Sequence, residues 1–284
     1  MKIFAIEGCD PIKGGNFGDD LNLWLWPKLF SKSADTLFDD DTLFVGIGTI
    51  LNDCLPSSPR KKIIFGAGYG YGGHPKIDNN WKLVCVRGPL TASTLGLQSD
   101  LALCDSAILV REVIKINSIN RRTGIVFMPH YATAGVENWQ RVCDEAGITY
   151  LSPGQSSENI IHTIASSELV ISEAMHGAII ADAYRVPWIP VRIGSYINEF
   201  KWNDWTSSLN IEYSFSSLPH NWNFYPSSKF RFKKIKQKLG EFTTKVAIER
   251  LKSLVRYGKR YLSEDKKFDA TYQRMLYYFN ELEL

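Results

Sequence analysis

The sequence of 284 residues has few cysteines, no long apolar run and no leader-like beginning. Its five cysteines are scattered without a C-x-x-C pair, so disulfides and structural zinc are not expected, and a reducing compartment fits best. No apolar run approaches the roughly 20 residues that a membrane-spanning helix needs. The opening MKIFAIEGC becomes polar too soon for a secretory signal. We therefore expect a cytoplasmic protein.

Several well-known nucleotide-binding and catalytic motifs are also absent. The P-loop pattern G-x-x-x-x-G-K-[ST] does not occur, and the glycine-rich run that begins at 66–71 opens no helix, as a dinucleotide-binding G-x-G-x-x-G turn would. The sequence contains neither a G-x-S-x-G elbow nor an H-E-x-x-H pair. These absences argue against NAD-binding enzymes, P-loop NTPases, α/β hydrolases and zincins. We expect no cofactor and no metal ion.

The stretch 169–191 carries the clearest positive pattern. It predicts a buried strand, a turn with Glu173 and His176, a helix that begins at Gly177, and a second strand, which together form one βαβ unit. In open α/β sheets, ligands bind at the carboxyl ends of the strands, and a helix start offers N–H groups to an anion. An imidazole at this position can exchange a proton near neutral pH. The alternative is a purely structural histidine.

Strands that end in glycine-bearing loops recur through the first part of the chain. The predicted strands are 2–6, 42–47, 62–65 and 83–86. A helix is expected after the first of them, a short helix at 49–54 after the second, and another from Pro89 after the fourth. Such repeated units are typical of a doubly wound α/β domain whose site lies at the strand ends.

Polar and charged side chains in these loops are candidates for the site. Asn16, Asp19 and Asp20 lie in the first loop, and the two aspartates either cap the following helix or contact sugar hydroxyls. Asp53 follows the second strand. Arg87 ends the fourth strand, where a guanidinium can hold a carboxylate or phosphate through two hydrogen bonds. The alternative for Arg87 is an ordinary surface arginine.

A second set of elements follows a polar segment at 111–122, which we interpret as a linker. A strand at 124–128 runs into His130, and the strand that closes the βαβ unit ends at Arg192. We therefore predict an α/β fold with two Rossmann-like, doubly wound domains. The boundaries are residues 1–112, residues 122–210, and a loop with a basic helical tail at 211–284.

The net charge of +3 hides a basic arm. Between residues 229 and 262 there are twelve Lys or Arg and two Glu, a local charge of +10, which leaves −7 for the remainder. The arm is amphipathic and aromatic, with Phe230, Phe232, Tyr257 and Tyr261. No recognised nucleic-acid module is present, so the pattern favours an anionic membrane surface over nucleic acid. A solvated helix face and packing against the N-terminal domain remain the alternatives.

Four segments, in this order, carry a family resemblance: NFGDDLN at 16–22, GIGTIL at 46–51, VRGPLT at 86–91 and SEAMHGA at 172–178. They resemble those of the polysaccharide pyruvyltransferases. The variant with E-A-M-H is similar to the ketal-pyruvate transferases of bacterial capsule and succinoglycan-type pathways. The resemblance implies a glycosyltransferase-B-like fold. It also implies transfer of pyruvate from phosphoenolpyruvate to a sugar as a cyclic ketal, with release of phosphate and no other cofactor.

The resemblance also implies roles for individual residues. His176 would be the acid/base and His130 a second proton carrier, while Asp19 and Asp53 would face the sugar. Many members carry Arg-x-His where this chain has Ala174-Met175-His176.

The arginine that would hold phosphoenolpyruvate beside the histidine is therefore missing. Arg87 or Arg192 would supply its charge, together with the helix start at Gly177.

The implied partners are phosphoenolpyruvate and an oligosaccharide acceptor, which the basic arm would hold near the inner membrane face if it is lipid-linked. Two other functions stay open. One is a nucleotide-sugar glycosyltransferase on the same two-lobed fold. The other is a non-catalytic sugar-binding subunit of a polysaccharide assembly complex, which the missing arginine favours.

Overall fold

The computed structural model describes residues 2–5, 15–30, 41–115, 122–220 and 233–283. These residues form two parallel sheets with their helices, which we call the first lobe (up to residue 115) and the second lobe (122–220). A C-terminal segment, residues 233–283, packs on both lobes. None of the helices in these ranges combines the length and apolar character needed to cross a bilayer.

The first sheet contains four parallel strands in the order β1-β2-β3-β4. Their bounds are β1 Lys2–Ile3, β2 Thr42–Val45, β3 Lys61–Phe65 and β4 Trp81–Cys85. The predicted strands are confirmed in position, except that residue 6 lies outside the described residues. The order of these four strands follows the sequence, so they lack the reversal that a doubly wound sheet has.

The short helix predicted at 49–54 is wrong. Gly48 turns the chain with a φ of 110°. The backbone N–H groups of Leu51 and Asp53 then bond to carbonyl oxygens of the next loop, at Gly68 (3.1 Å) and Gly73 (3.0 Å). Because these amides pair with a neighbouring loop and not with the preceding turn, the segment stays irregular.

The second sheet contains five parallel strands in the order β6-β5-β7-β8-β9. Their bounds are β5 Ile125–Met128, β6 Thr149–Tyr150, β7 Leu169–Ser172, β8 Trp188–Arg192 and β9 Ser216–Ser217. The chain leaves β5 toward one edge and returns to build β7, β8 and β9 toward the other. This reversal makes the crevice beyond β5 and β7 a topological switch point, where open α/β sheets bind their ligands.

The α-helices cover most of the remaining described residues. They are α1 Phe17–Leu29, α2 Pro89–Thr94, α3 Val110–Val113, α4 Tyr131–Ala134, α5 Trp139–Ala146, α6 Ser157–Ala165, α7 Met175–Ala183, α8 Glu199–Ser208, α9 Lys233–Tyr257 and α10 Asp265–Glu283. Gly147 ends α5 in the left-handed conformation, with a φ of 71°, as predicted. The proposed linker at 111–122 begins inside α3, and its residues 116–121 lie outside the described part.

Helix α1 begins earlier than predicted. Its N-cap is Asn16, and Asp19 and Asp20 lie in its first turn, so neither aspartate caps the helix. Asn22 fixes the helix to the loop after β2, because its side chain donates to the Ile47 carbonyl and accepts from the Ile47 N–H, each at 2.9 Å. These bonds hold the first turn of α1 at the carboxyl end of the first sheet.

The C-terminal segment is integrated into both lobes and is not a free tail. The backbone of Tyr261 forms an antiparallel bridge with Trp188 of β8. Helix α9 packs on α5 and contributes Leu251 to the second-lobe core. Helix α10 returns to the first lobe, where Phe279 joins the core around Trp26. The first part of the basic arm, including Phe230 and Phe232, lies outside the described residues.

Candidate active site

A cavity of about 500 Å³ opens between the carboxyl ends of the strands of both sheets. From the first lobe it is lined by Asn16, Phe17, Gly18, Asp19, Thr49 and Tyr71; from the second, by residues that include His130, Tyr131, Pro153, Met175, His176, Tyr196 and Lys201. The structure therefore brings together four of the candidates that the sequence predicted: Asn16, Asp19, His130 and His176.

His176 lies in the first turn of α7, and its side chain is 13% exposed. The ring rests against α1: a Cβ atom built on Gly18 would lie 2.1 Å from its Nδ1 atom. Only glycine at position 18 therefore leaves room for this ring. Residues of the first turns of α1 and α7 line the same cavity, and helix N-termini favour anions.

Glu173 does not line the cavity. Its carboxylate is fully buried and accepts hydrogen bonds from the N–H groups of His130 (3.0 Å), Ile193 (3.0 Å) and Gly194 (3.2 Å) and from the Thr133 hydroxyl (2.6 Å). Burial raises its pKa. Glu173, which the sequence predicted to bind substrate, instead joins the loops that follow β5 and β8. Its hydrogen bonds fix the backbone around His130.

His130 is held as a neutral ring. Burial, with a smaller contribution from the charge of Lys201, lowers its pKa to about 3. Its Nδ1 atom accepts a hydrogen bond from the Ala132 N–H at 3.3 Å, which leaves the ring proton on Nε2. This arrangement suits a neutral hydrogen-bond donor better than the proton carrier that the sequence predicted.

Asp19 is the acidic group on the first-lobe side. Burial raises its pKa, and the opposing influences include the nearby charges of His176 and Lys201. Asn16 donates a hydrogen bond to its carboxylate. A carboxylate held among an imidazole and an ammonium can take part in proton transfer or contact hydroxyl groups of a sugar.

Lys201, on α8, was missed by sequence reasoning. Its ammonium lies 5.8 Å from the centre of the Tyr71 ring. Burial, and then the charge of Arg87, lowers its pKa to about 8. The only local signal was a single lysine between Phe200 and Trp202, which does not distinguish a cavity cation from a surface one.

Arg87 is fully buried behind the cavity wall. Its guanidinium forms an ion pair with Asp204 at 2.9 Å and donates to the Thr49 hydroxyl (2.8 Å) and to the Tyr69 carbonyl (2.7 Å). Gly68 makes room for it, since a Cβ atom there would lie 2.1 Å from the guanidinium carbon. Arg87 thus supports Thr49, which lines the cavity, and does not itself face the open space.

The remaining predicted residues lie away from the cavity. Arg192 pairs with Glu199 and packs 4.6 Å from the centre of the Phe215 ring, in a separate groove. Asp20 and Asp53 are exposed outside the cavity lining. Gly177 is buried in α7, where a Cβ atom would lie 2.4 Å from the Ser172 hydroxyl, so its role is close packing of the helix on the sheet.

The described residues contain no group of three or more His, Cys, Asp or Glu side chains placed to share a metal ion. The free thiols in the described ranges are Cys54, which is exposed, and Cys85, Cys104 and Cys143, which are buried. Cys9 lies outside those ranges. None of the four described thiols lines the cavity.

Comparison with known proteins links most of this chain to one family. The family model described as polysaccharide pyruvyl transferase matches residues 10–195. The chain is 40% identical over 207 residues to the succinoglycan biosynthesis protein ExoV of Rhizobium meliloti (strain 1021). That similarity covers 72% of this chain and 65% of the relative, so it spans slightly less than two thirds of the relative's length. No solved structure matches significantly.

Proposed function

The chain belongs to the polysaccharide pyruvyl transferase family, and we propose that it transfers the pyruvyl group of phosphoenolpyruvate to a sugar of a bacterial exopolysaccharide or of its lipid-linked precursor. The observation that supports this best is the cavity in which His176, Asp19 and Lys201 meet at the carboxyl ends of two parallel sheets. The two facing sheets, with α10 returning to the first lobe, also support a glycosyltransferase-B-like interpretation.

Lys201 replaces the charge that is missing at Ala174. Both residues line the cavity, where the Lys201 ammonium lies near the Tyr71 ring and can be reached by a ligand. The first turns of α1 and α7 add partial positive charge. Phosphoenolpyruvate carries a carboxylate and a phosphate, and these three groups can hold both anions without a metal ion.

The proposed chemistry needs an acid and a base at the same place. His176 delivers a proton to the methylene carbon, a first sugar hydroxyl adds to the adjacent carbon, and a second hydroxyl displaces the phosphate to close the ketal. Two hydroxyl protons are released; one restores the proton on His176 and the other leaves with the phosphate. Asp19 orients or deprotonates the hydroxyl groups, and neutral His130 donates a hydrogen bond to the developing charge.

A phosphate-release assay tests the proposal directly. With phosphoenolpyruvate and a panel of galactose, glucose and mannosamine glycosides, the wild type should release phosphate with one acceptor class. His176→Ala should lose at least about 100-fold in kcat, as expected when a general acid is removed. His162→Ala is the matched control, because His162 is exposed on α6.

The assay also separates the other functions. Binding of phosphoenolpyruvate without turnover would instead support a sugar-binding subunit. A melting temperature raised by UDP and unaffected by phosphoenolpyruvate would support a nucleotide-sugar glycosyltransferase, since a ligand that binds the folded state stabilises it.

We extend the proposal to the place of action, the inner face of the cytoplasmic membrane. Around the end of α9, Tyr257 is 81% exposed, and Arg250, Arg256, Lys259 and Arg260 are exposed near it. A cluster of cations with an amphipathic ring matches an anionic lipid surface, where each cation contributes about 1 kcal/mol.

Binding to vesicles tests this surface. The wild type should bind vesicles that contain anionic lipid, and this binding should weaken as salt is added. It should not bind vesicles of neutral lipid. Arg256→Glu combined with Lys259→Glu should abolish binding, whereas the charge-matched pair Lys76→Glu and Lys82→Glu, exposed on the first lobe, should not. Equal loss in both pairs would mean that only overall charge matters.

A further inference from the structure

Two buried polar atoms face each other across the lobes without a hydrogen-bond partner among the described residues. They are Oδ2 of Asp105 and Nε2 of His176, and the distance between them is 3.6 Å. The Asp105 side chain is completely buried. Buried polar atoms are almost always paired, because an unpaired one costs the free energy of its lost hydration. A buried carboxylate oxygen aimed at a site imidazole therefore needs an explanation.

Helix capping accounts for only one of the two oxygens of the Asp105 carboxylate. Its Oδ1 atom accepts a hydrogen bond from the Ala107 N–H at 3.0 Å and so begins the 3₁₀-helix Ser106–Leu109. An asparagine or serine would cap this turn equally well. The second oxygen, which neither asparagine nor serine would supply, is the one that points to His176.

The position of Asp105 in the fold supports a link to the site. The residues before it run beside β4, with a parallel bridge between Val86 and Ala102. Asp105 therefore lies at the same carboxyl edge of the first sheet as the cavity. The 3₁₀-helix that it caps packs on α7, the helix that carries His176.

We propose that Asp105 is the positioning residue of His176: it accepts the Nε2 proton, fixes the tautomer and orientation of the ring, and stabilises the imidazolium that forms during turnover. The neutral ring then has its lone pair on Nδ1, the nitrogen on the side of Gly18. Hydrogen bonds of catalytic groups are often long in the ligand-free state and shorten in the complex. An approach of less than about 1 Å would complete this one.

The proposal rests on the acid/base role given to His176 in the proposed function, but its main test does not depend on turnover. Nitrogen–proton correlation spectra of the histidine rings distinguish the two neutral tautomers, with His176 assigned from a His176→Gln variant. In the wild type we expect the proton on Nε2. In Asp105→Asn the capping oxygen is kept and the second oxygen becomes an N–H donor, so we expect the proton to move to Nδ1.

Kinetics supply the second readout. With phosphoenolpyruvate and an accepted glycoside, Asp105→Asn should lower kcat by roughly 10–100-fold, the usual effect of removing a supporting group, with KM for phosphoenolpyruvate near the wild-type value. Ser106→Ala, in the same buried turn, is the matched control and should leave kcat unchanged.

A wild-type ring with its proton on Nδ1, or an Asp105→Asn variant with unchanged tautomer and unchanged kcat, would overturn the assignment. If Asp105→Asn does not fold, the wild-type spectrum alone decides. Failure of phosphate release in the wild type would refute the proposed function and leave the tautomer result standing.

Discussion

Lys201 shows how burial adjusts a single group to its task. An ammonium with a pKa of about 8, lowered first by burial and then by the charge of Arg87, is charged at neutral pH and titrates just above it. The same burial that makes the charge costly to hold also removes the water that would weaken its contact with an anion. A lysine in this state binds an anionic substrate strongly but only within a limited pH range.

The pH dependence of phosphoenolpyruvate use should report this residue. As pH rises above about 8, Lys201 loses its proton, so kcat/KM should fall by up to about tenfold per pH unit. Lys201→Arg keeps its charge throughout this range and should flatten the decline. Lys201→Met should lower kcat/KM at pH 7 by on the order of 30-fold or more, since losing a buried charge contact costs about 2–5 kcal/mol. A Met variant with wild-type kcat/KM would contradict the assignment.

At the scale of elements, the Arg87–Asp204 ion pair joins the end of β4 to α8. Asp204 is fully buried and also accepts hydrogen bonds from the N–H (2.9 Å) and hydroxyl (2.5 Å) of Thr91, in the first turn of α2. A buried pair contributes little net stability, but removing one partner leaves the other charge uncompensated. The pair therefore specifies where α8, and with it Lys201, docks on the first lobe.

Unfolding in denaturant should reveal this asymmetry. Arg87→Met should lower the free energy of unfolding by about 3–5 kcal/mol, because it leaves the buried Asp204 carboxylate without a cation. Adding Asp204→Asn should recover part of that loss, since a neutral amide no longer needs the cation and its oxygen still accepts from Thr91. A double variant that is less stable than Arg87→Met would show that the carboxylate has another essential partner.

The helices and strands could largely be predicted from the sequence, whereas the interaction partners of individual side chains could not. Apolar runs and glycine-bearing turns located nearly all the described strands and the helix that follows β7, because these depend on local periodicity. Arg87 was recognisable as a charge at a strand end, but its partner lies 117 positions away. The environments of Glu173 and Lys201 also depend on distant parts of the chain and could not be predicted locally. Glu173 is enclosed by three loops, and Lys201 becomes a cavity cation only when α8 docks on the first lobe.

At the scale of the whole molecule, α10 makes the first lobe depend on the C-terminal segment. The Phe279 ring lies 5.1 Å from the ring of Phe30, 6.0 Å from that of Phe65 and 6.2 Å from that of Trp26. These aromatic contacts belong to a core cluster that also includes Ile160 of the second lobe. The two lobes and α10 therefore share this core cluster.

Removing this ring should destabilise the entire protein. Phe279→Ala should lower the free energy of unfolding by about 3–5 kcal/mol, the range for deleting a buried phenylalanine. Tyr277→Ala, on the same helix but 58% exposed, is the matched control and should cost far less. Because the interior is shared, tryptophan fluorescence and circular dichroism should report one common transition, and separate transitions for the two signals would contradict this.

The return of α10 to the first lobe also sets the order in which the protein is completed during synthesis. On the ribosome the strands of the first sheet emerge before the second lobe, yet their core lacks Phe279 until the second lobe and α9 have been translated. The second sheet finishes earlier, because all its strands end before residue 218. The lobe that is made first is therefore finished after the second, and the aromatic rings around Trp26 lack the Phe279 ring while the second lobe and α9 are translated, a stage at which a nascent chain is open to aggregation and to chaperones.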